Sequence, residues 1–172
     1  MTVSTIVLCP PLPGRDAAYD AADVVDVLLD DPRLRSTRAM SPYVEPAPAD
    51  DDARTLRAHW VAHLAIALSA SGVTEPLLLV VEGDAGELSP ALGFAQRAAR
   101  RSVAGYVLVD AAVPPADSRV GDWPDAPVHY VASPAADPVH VHQARLRGWT
   151  LHEIASVSPG AVGDVVAEIA SS

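Results

Sequence analysis

The chain has 172 residues, 49% of them hydrophobic and 20% charged, which suits one domain with a real core and excludes extended disorder. Its 12 basic residues are all arginine, against 22 acidic ones, giving a formal charge of −10. That balance argues against nucleic acid and anionic membranes as partners, because both need clustered positive charge. The single cysteine, Cys9, leaves no internal disulfide, and at the end of an apolar strand it reads as a buried thiol. No apolar run approaches the roughly 20 residues of a membrane span. The N-terminus lacks a basic region and reaches Pro10-Pro11 too early for a signal sequence, so a cytoplasmic protein is expected.

In chain order, "TVSTIVLC" alternates and is rich in β-branched residues, so it predicts a strand, broken by "PPLPG". Residues 16–31 predict a helix with Pro32 beyond its end. A short strand is expected near "RSTRAM". "EPAPADDD" is a loop whose aspartates cap a long helix over 53–71, with Gly72 as its stop. "LLLVV" is a strand ending in Glu82-Gly83-Asp84-Ala85-Gly86, and a helical pattern runs from Glu87 through Arg101. Then come the strand "AGYVLVD", a proline-containing loop, the strand "PVHYVA", a helix from Asp137 to Gly148, the strand "WTLHEI" and a last helix over 160–170. Alternating strands and helices, with strands that are continuous apolar runs, predict a three-layer α/β/α sandwich with a mostly parallel sheet of about six strands. Residues 1–172 form a single domain in this reading. Ligands of such sheets bind at the carboxyl ends of the strands, onto which both the Pro10–Gly14 loop and the turn after Val81 open.

The turn after Val81 carries the chemistry. A G-x-S-x-G elbow needs small residues around a strained turn that lifts a nucleophile above the sheet. Gly83, Ala85 and Gly86 are small, and Asp84 stands where the serine would be. Aspartate tolerates positive φ, and a carboxylate at a helix N-terminus is stabilised as an anion.

At these residues the chain resembles the α/β-hydrolase family. "LLLVVEGDAGELSPAL" is similar to its "LVGHSxGG" region, "VAGYVLVDAAVP" to the next strand, and "PVHYVASPAADP" to the segment carrying the acidic triad member. The resemblance implies the α/β-hydrolase-like fold, Asp137 as the acidic residue, and an oxyanion hole drawing on the N–H groups of Leu12, Gly14 and Ala85. Trp123 falls in the short loop that replaces the family's lid. With Gly83, these are the expected substrate-binding residues. The departures are an aspartate for the serine, Glu82 in place of a small residue, and "ASVSPGAVGD" where the family has its histidine segment. An ordinary Ser-His-Asp esterase is therefore not expected.

Three functions stay open. One is a non-hydrolytic enzyme (cyclisation, elimination, isomerisation or epimerisation) acting on a small or acyl-derived molecule, with Asp84 as general acid, base or polar anchor. Another is a catalytically silent binding or assembly protein. The third is an aspartate-nucleophile hydrolase of the dehalogenase or epoxide hydrolase type, which the family includes. No cofactor or metal is expected: His59 and His63 have ligand spacing, but Trp60 stands where HExxH needs glutamate, and His140 and His142 point apart. A short sheet leaves edges and apolar surface to cover, so a homodimer is a reasonable expectation. The arginine-only, Ala- and Pro-rich composition suggests bacterial secondary metabolism.

Overall fold

The structure, a computed structural model, describes residues 3–45, 52–115 and 123–172. The predicted loop aspartates Asp50 and Asp51, and Gly121, lie outside the described residues. Six strands form one sheet, β1 (Thr5–Leu8), β2 (Arg38–Met40), β3 (Leu77–Glu82), β4 (Val103–Val109), β5 (Val128–Ala132) and β6 (Thr150–Glu153). Their order is β2-β1-β3-β4-β5-β6 and every pairing is parallel. Strand order reverses between β1 and β3, which are paired through Val7 with Leu79 and Leu8 with Val80. The helices are α1 (Ala21–Asp30), α2 (Ala53–Ala70), α3 (Ser89–Ala98), α4 (Pro138–Leu146) and α5 (Pro159–Ser171).

The pleat sorts the strand residues onto two faces. Leu77, Leu79, Val81, Leu108 and Tyr130 join Trp60, Leu64, Leu68, Leu92 and Ala144 under α2, α3 and α4. Leu78, Val80, Val107, Val109 and Val131 join Val24, Leu28, Val162 and Val166 under α1 and α5. All six residues of β3 are buried, as a central parallel strand covered on both sides requires.

Two boundaries that bear on the site differ from the sequence reading. α1 begins at Ala21 rather than residue 16, because Asp20 is its N-cap, accepting the Ala22 N–H at 2.8 Å. After β3 the chain makes a 3₁₀ turn over Gly83–Leu88 before α3 starts at Ser89. Asp52 caps α2 as expected, accepting from the Arg54 and Thr55 N–H groups.

Candidate active site

The site lies at the carboxyl ends of β1 and β3, where strand order reverses. Asp84 follows β3 directly, and its carboxylate pairs with Arg15 of the Pro10–Gly14 loop end at 2.7 Å. Both side chains are substantially exposed, at 43% and 66%. A notch of about 140 Å³ beside them is lined by Leu12, Pro13, Arg15, Leu56, Arg57 and Asp84. A smaller cavity of about 50 Å³ is lined by Leu12, Arg15, Ala18, Glu82, Gly83 and Asp84. Among the described residues no histidine lines either one.

The backbone decides which residue occupies the elbow. The left-handed residue at the end of β3 is Gly83, with φ +52°, and Asp84 does not share that conformation. A Cβ added to Gly83 would meet nothing within 4 Å, so it would project into open space. At Gly86 a Cβ would meet the Ala112 carbonyl at 2.3 Å and Ala111 Cβ at 2.8 Å, so the turn packs directly onto the end of β4. "LVGHSxGG" can also be laid on the chain with its serine position at Gly83, Glu82 before it and Ala85-Gly86 as the glycine pair, and this register puts the one left-handed residue of the turn at the elbow. The expectation put Asp84 at the nucleophile position; the left-handed backbone falls one residue earlier, at Gly83. The physical reason is that glycine adopts positive φ without steric cost, while aspartate next to it does not have to. In this register the N–H following the elbow residue belongs to Asp84 rather than Ala85, and Ala85 is buried.

Glu82 is a functional candidate that the sequence reading treats only as a departure from a small residue. It closes β3 on the α1 face and is 5% exposed. One carboxylate oxygen accepts the Ala18 N–H at 3.1 Å. Burial holds its carboxyl above the ordinary glutamate range, and the Ala18 hydrogen bond only partly opposes this. Tyr19 lies near it, with a buried hydroxyl that has no hydrogen-bond partner among the described residues. Burial, then the charges of Glu82 and Cys9, push the Tyr19 phenol up. Burial likewise pushes the Cys9 thiol up, which makes it a poor nucleophile. The available sequence signal was an acidic residue ending a continuous apolar run.

The remaining predicted residues divide. Leu12 is buried and lines both cavities, and Gly14, at φ +76°, turns the same loop. Asp137 follows β5 and caps α4, its carboxylate accepting the Val139 N–H at 2.8 Å. Trp123 is not at the strand ends: it packs edge-on against Tyr106 and Trp149, with ring centroids 5.5 and 5.7 Å away. Tyr106 pairs with Val128, the first residue of β5, and Trp149 precedes β6, so this cluster belongs to the opposite end of the sheet. The loop after β4 must return the chain to where a parallel β5 begins, and it carries Trp123 with it. At the carboxyl edge, Asp110, in a left-handed conformation (φ 43°), accepts from the Ser133 N–H and hydroxyl and ties β4 to β5. His140 Nδ1 accepts the Val113 N–H at 3.3 Å. Among the described residues no group of three or more His, Cys, Asp or Glu is arranged to hold a metal ion.

Solved structures share this architecture. PytH, a pyrethroid hydrolase, superposes with a TM-score of 0.64 at 14% identity over 99% of this chain and 98% of its own. The fold is that of the α/β-hydrolases. The Vlm2 thioesterase domain shares it at a TM-score of 0.62 and 11% identity, covering 96% of this chain and 91% of that one. Tomato methylketone synthase I, solved with β-ketoheptanoate, shares it at 0.61 and 9%, covering 99% and 98%. No protein-family model and no curated protein matches the sequence.

Proposed function

We propose that this α/β-hydrolase-fold protein is a non-hydrolytic enzyme that moves protons on a small carbonyl-bearing molecule of bacterial biosynthesis, with Asp84 and Glu82 as its working groups. The observation that carries the reading is the pair of carboxylates on one small cavity in contrasting surroundings. Glu82 is buried and biased toward its protonated form. Asp84 is solvated and paired with Arg15. Neighbouring acids in unlike environments are how one site supplies both a proton donor and a base. Asp84 takes a proton from carbon next to the carbonyl, and Glu82 supplies one to the developing oxyanion. The Asp84 N–H, following the elbow, stabilises that oxyanion. No covalent step is required, in keeping with glycine at the elbow.

The test is solvent-proton exchange. The protein is incubated in D₂O with short ketones and β-keto esters, and deuterium entry beside the carbonyl is followed by NMR. Exchange above buffer that falls by roughly 10²–10⁴-fold in Asp84→Asn is expected. Exchange no faster than buffer across the panel would favour the silent binding protein. That second reading has its own support: the notch at Asp84 is about 140 Å³, below the roughly 300 Å³ at which most ligand sites begin. The aspartate-nucleophile reading is disfavoured because Asp84 lies one residue past the elbow turn.

A further inference from the structure

Between α2 and α3 lies a second depression, a groove of about 410 Å³ whose walls are Ala58, Val61 and Ala62 on one side and Leu88, Ala91 and Phe94 on the other. Phe94 is 54% exposed there, an aromatic ring left in water on a helix that has a core to face. The groove and the notch at Asp84 share Arg57 as a wall. Arg57 pairs with Glu87 at 2.6 Å across their junction, both partly exposed. The polar end is charge-balanced: Arg15 with Asp84 and Arg57 with Glu87 make two ion pairs. A net charge brought there would have to displace a partner from one of these ion pairs, losing hydration as it does so. An uncharged head group that both donates and accepts hydrogen bonds meets no such penalty.

We infer that the groove holds the alkyl chain of an uncharged amphiphile, an amide, ketone or ester, whose polar head lies at Asp84. This rests on the proposed function and gives it a substrate class. The groove and the notch are separate depressions that meet at Arg57, so the chain lies between α2 and α3 and the head beyond the Arg57–Glu87 pair.

Three eight-carbon probes of matched length test it: octanamide, octanoate and octylammonium, each titrated into ¹⁵N-labelled protein. Octanamide is expected to bind saturably and to shift the amides of both 58–62 and 83–87. Both ions are expected to bind at least about tenfold more weakly. Ala62→Trp, which fills the groove from an exposed position, is expected to abolish octanamide binding, and Phe94→Ser to weaken it. Octanoate or octylammonium binding as tightly as octanamide would overturn the inference. So would shifts confined to 58–62, or octanamide binding that both variants leave untouched. A wild-type dimer in sedimentation that Ala62→Trp converts to monomer would assign the face to a second copy instead. Binding is read without turnover, so octanamide binding with no deuterium exchange would support the groove while counting against the acid–base role.

Discussion

At the residue scale, the turn after β3 carries a left-handed glycine, Gly83, followed by a solvated carboxylate, Asp84. Serine-directed fluorophosphonates are expected not to label the protein, and p-nitrophenyl esters to turn over no faster than buffer. Gly83→Ser has room for its hydroxyl but among the described residues no histidine lines the adjoining cavities, so ester turnover is expected to stay at background in that variant too. Labelling of wild type in a clean preparation would contradict this. Asp84→Asn removes a solvated ion pair and no cap hydrogen bond, since the 3₁₀ turn has no side-chain cap. Its melting temperature should stay close to wild type, with a stability change within about 1 kcal/mol.

Glu82 makes a prediction of opposite character. Its folded pKa is raised, so the stability tied to its protonated form is complete below the unfolded value of about 4.3. It is lost as pH rises through the folded pKa. Glu82→Gln keeps an acceptor for the Ala18 N–H and carries no charge. Urea midpoints measured from pH 4 to 8 should show the variant gaining on wild type as pH rises. A constant difference across that range would mean that Glu82 ionises without cost.

At the element scale, the turn after β3 is fixed by close packing. Gly86→Ala would drive a methyl into the Ala112 carbonyl and Ala111. A backbone shift there should cost about 1–3 kcal/mol in denaturant unfolding. The β5–β6 edge holds a histidine pair, with His129 Nδ1 3.1 Å from His152 Nε2. Burial, then the His152 charge, lowers the His129 pKa. Its stability contribution is therefore present above the unfolded value of about 6.5 and lost as pH falls through the folded one. His129→Gln should flatten that acid-side loss in the same melts. An equally steep loss in the variant would locate the acid sensitivity elsewhere.

At the scale of the whole molecule, the parallel sheet was legible because fully buried strands are written as unbroken apolar runs such as Leu77–Val81. What was not legible depended on three-dimensional closure. Residues 16–19 read as the start of the helix, yet Tyr19 is buried and the Ala18 N–H is drawn to Glu82, which is 64 positions away in sequence. The elbow could be read in two registers, because spacing shows which residues are small and not which one turns. Trp123 in a loop after β4 resembles a lid until the direction of a parallel crossover carries it to the far end of the sheet. Charge distribution was legible only as a total. On the folded chain Asp20, Asp23, Asp26 and Asp30 collect around α1, while Arg54, Arg57, Arg97 and Arg101 lie on α2 and α3 or just beyond.

The reversal of strand order between β1 and β3 also governs how the chain is made. β1 leaves the ribosome well before its partner on one side, Leu77–Val80, which follows some seventy positions later. Until then only the three-residue β2 can pair with it. The core strand of the sheet is thus an apolar edge for much of synthesis, a stretch in which chaperones or slow translation have something to protect. A nascent chain arrested after Ser71 should show no amide protection at Val7 or Leu8. Extending the arrest beyond Val109 should switch it on.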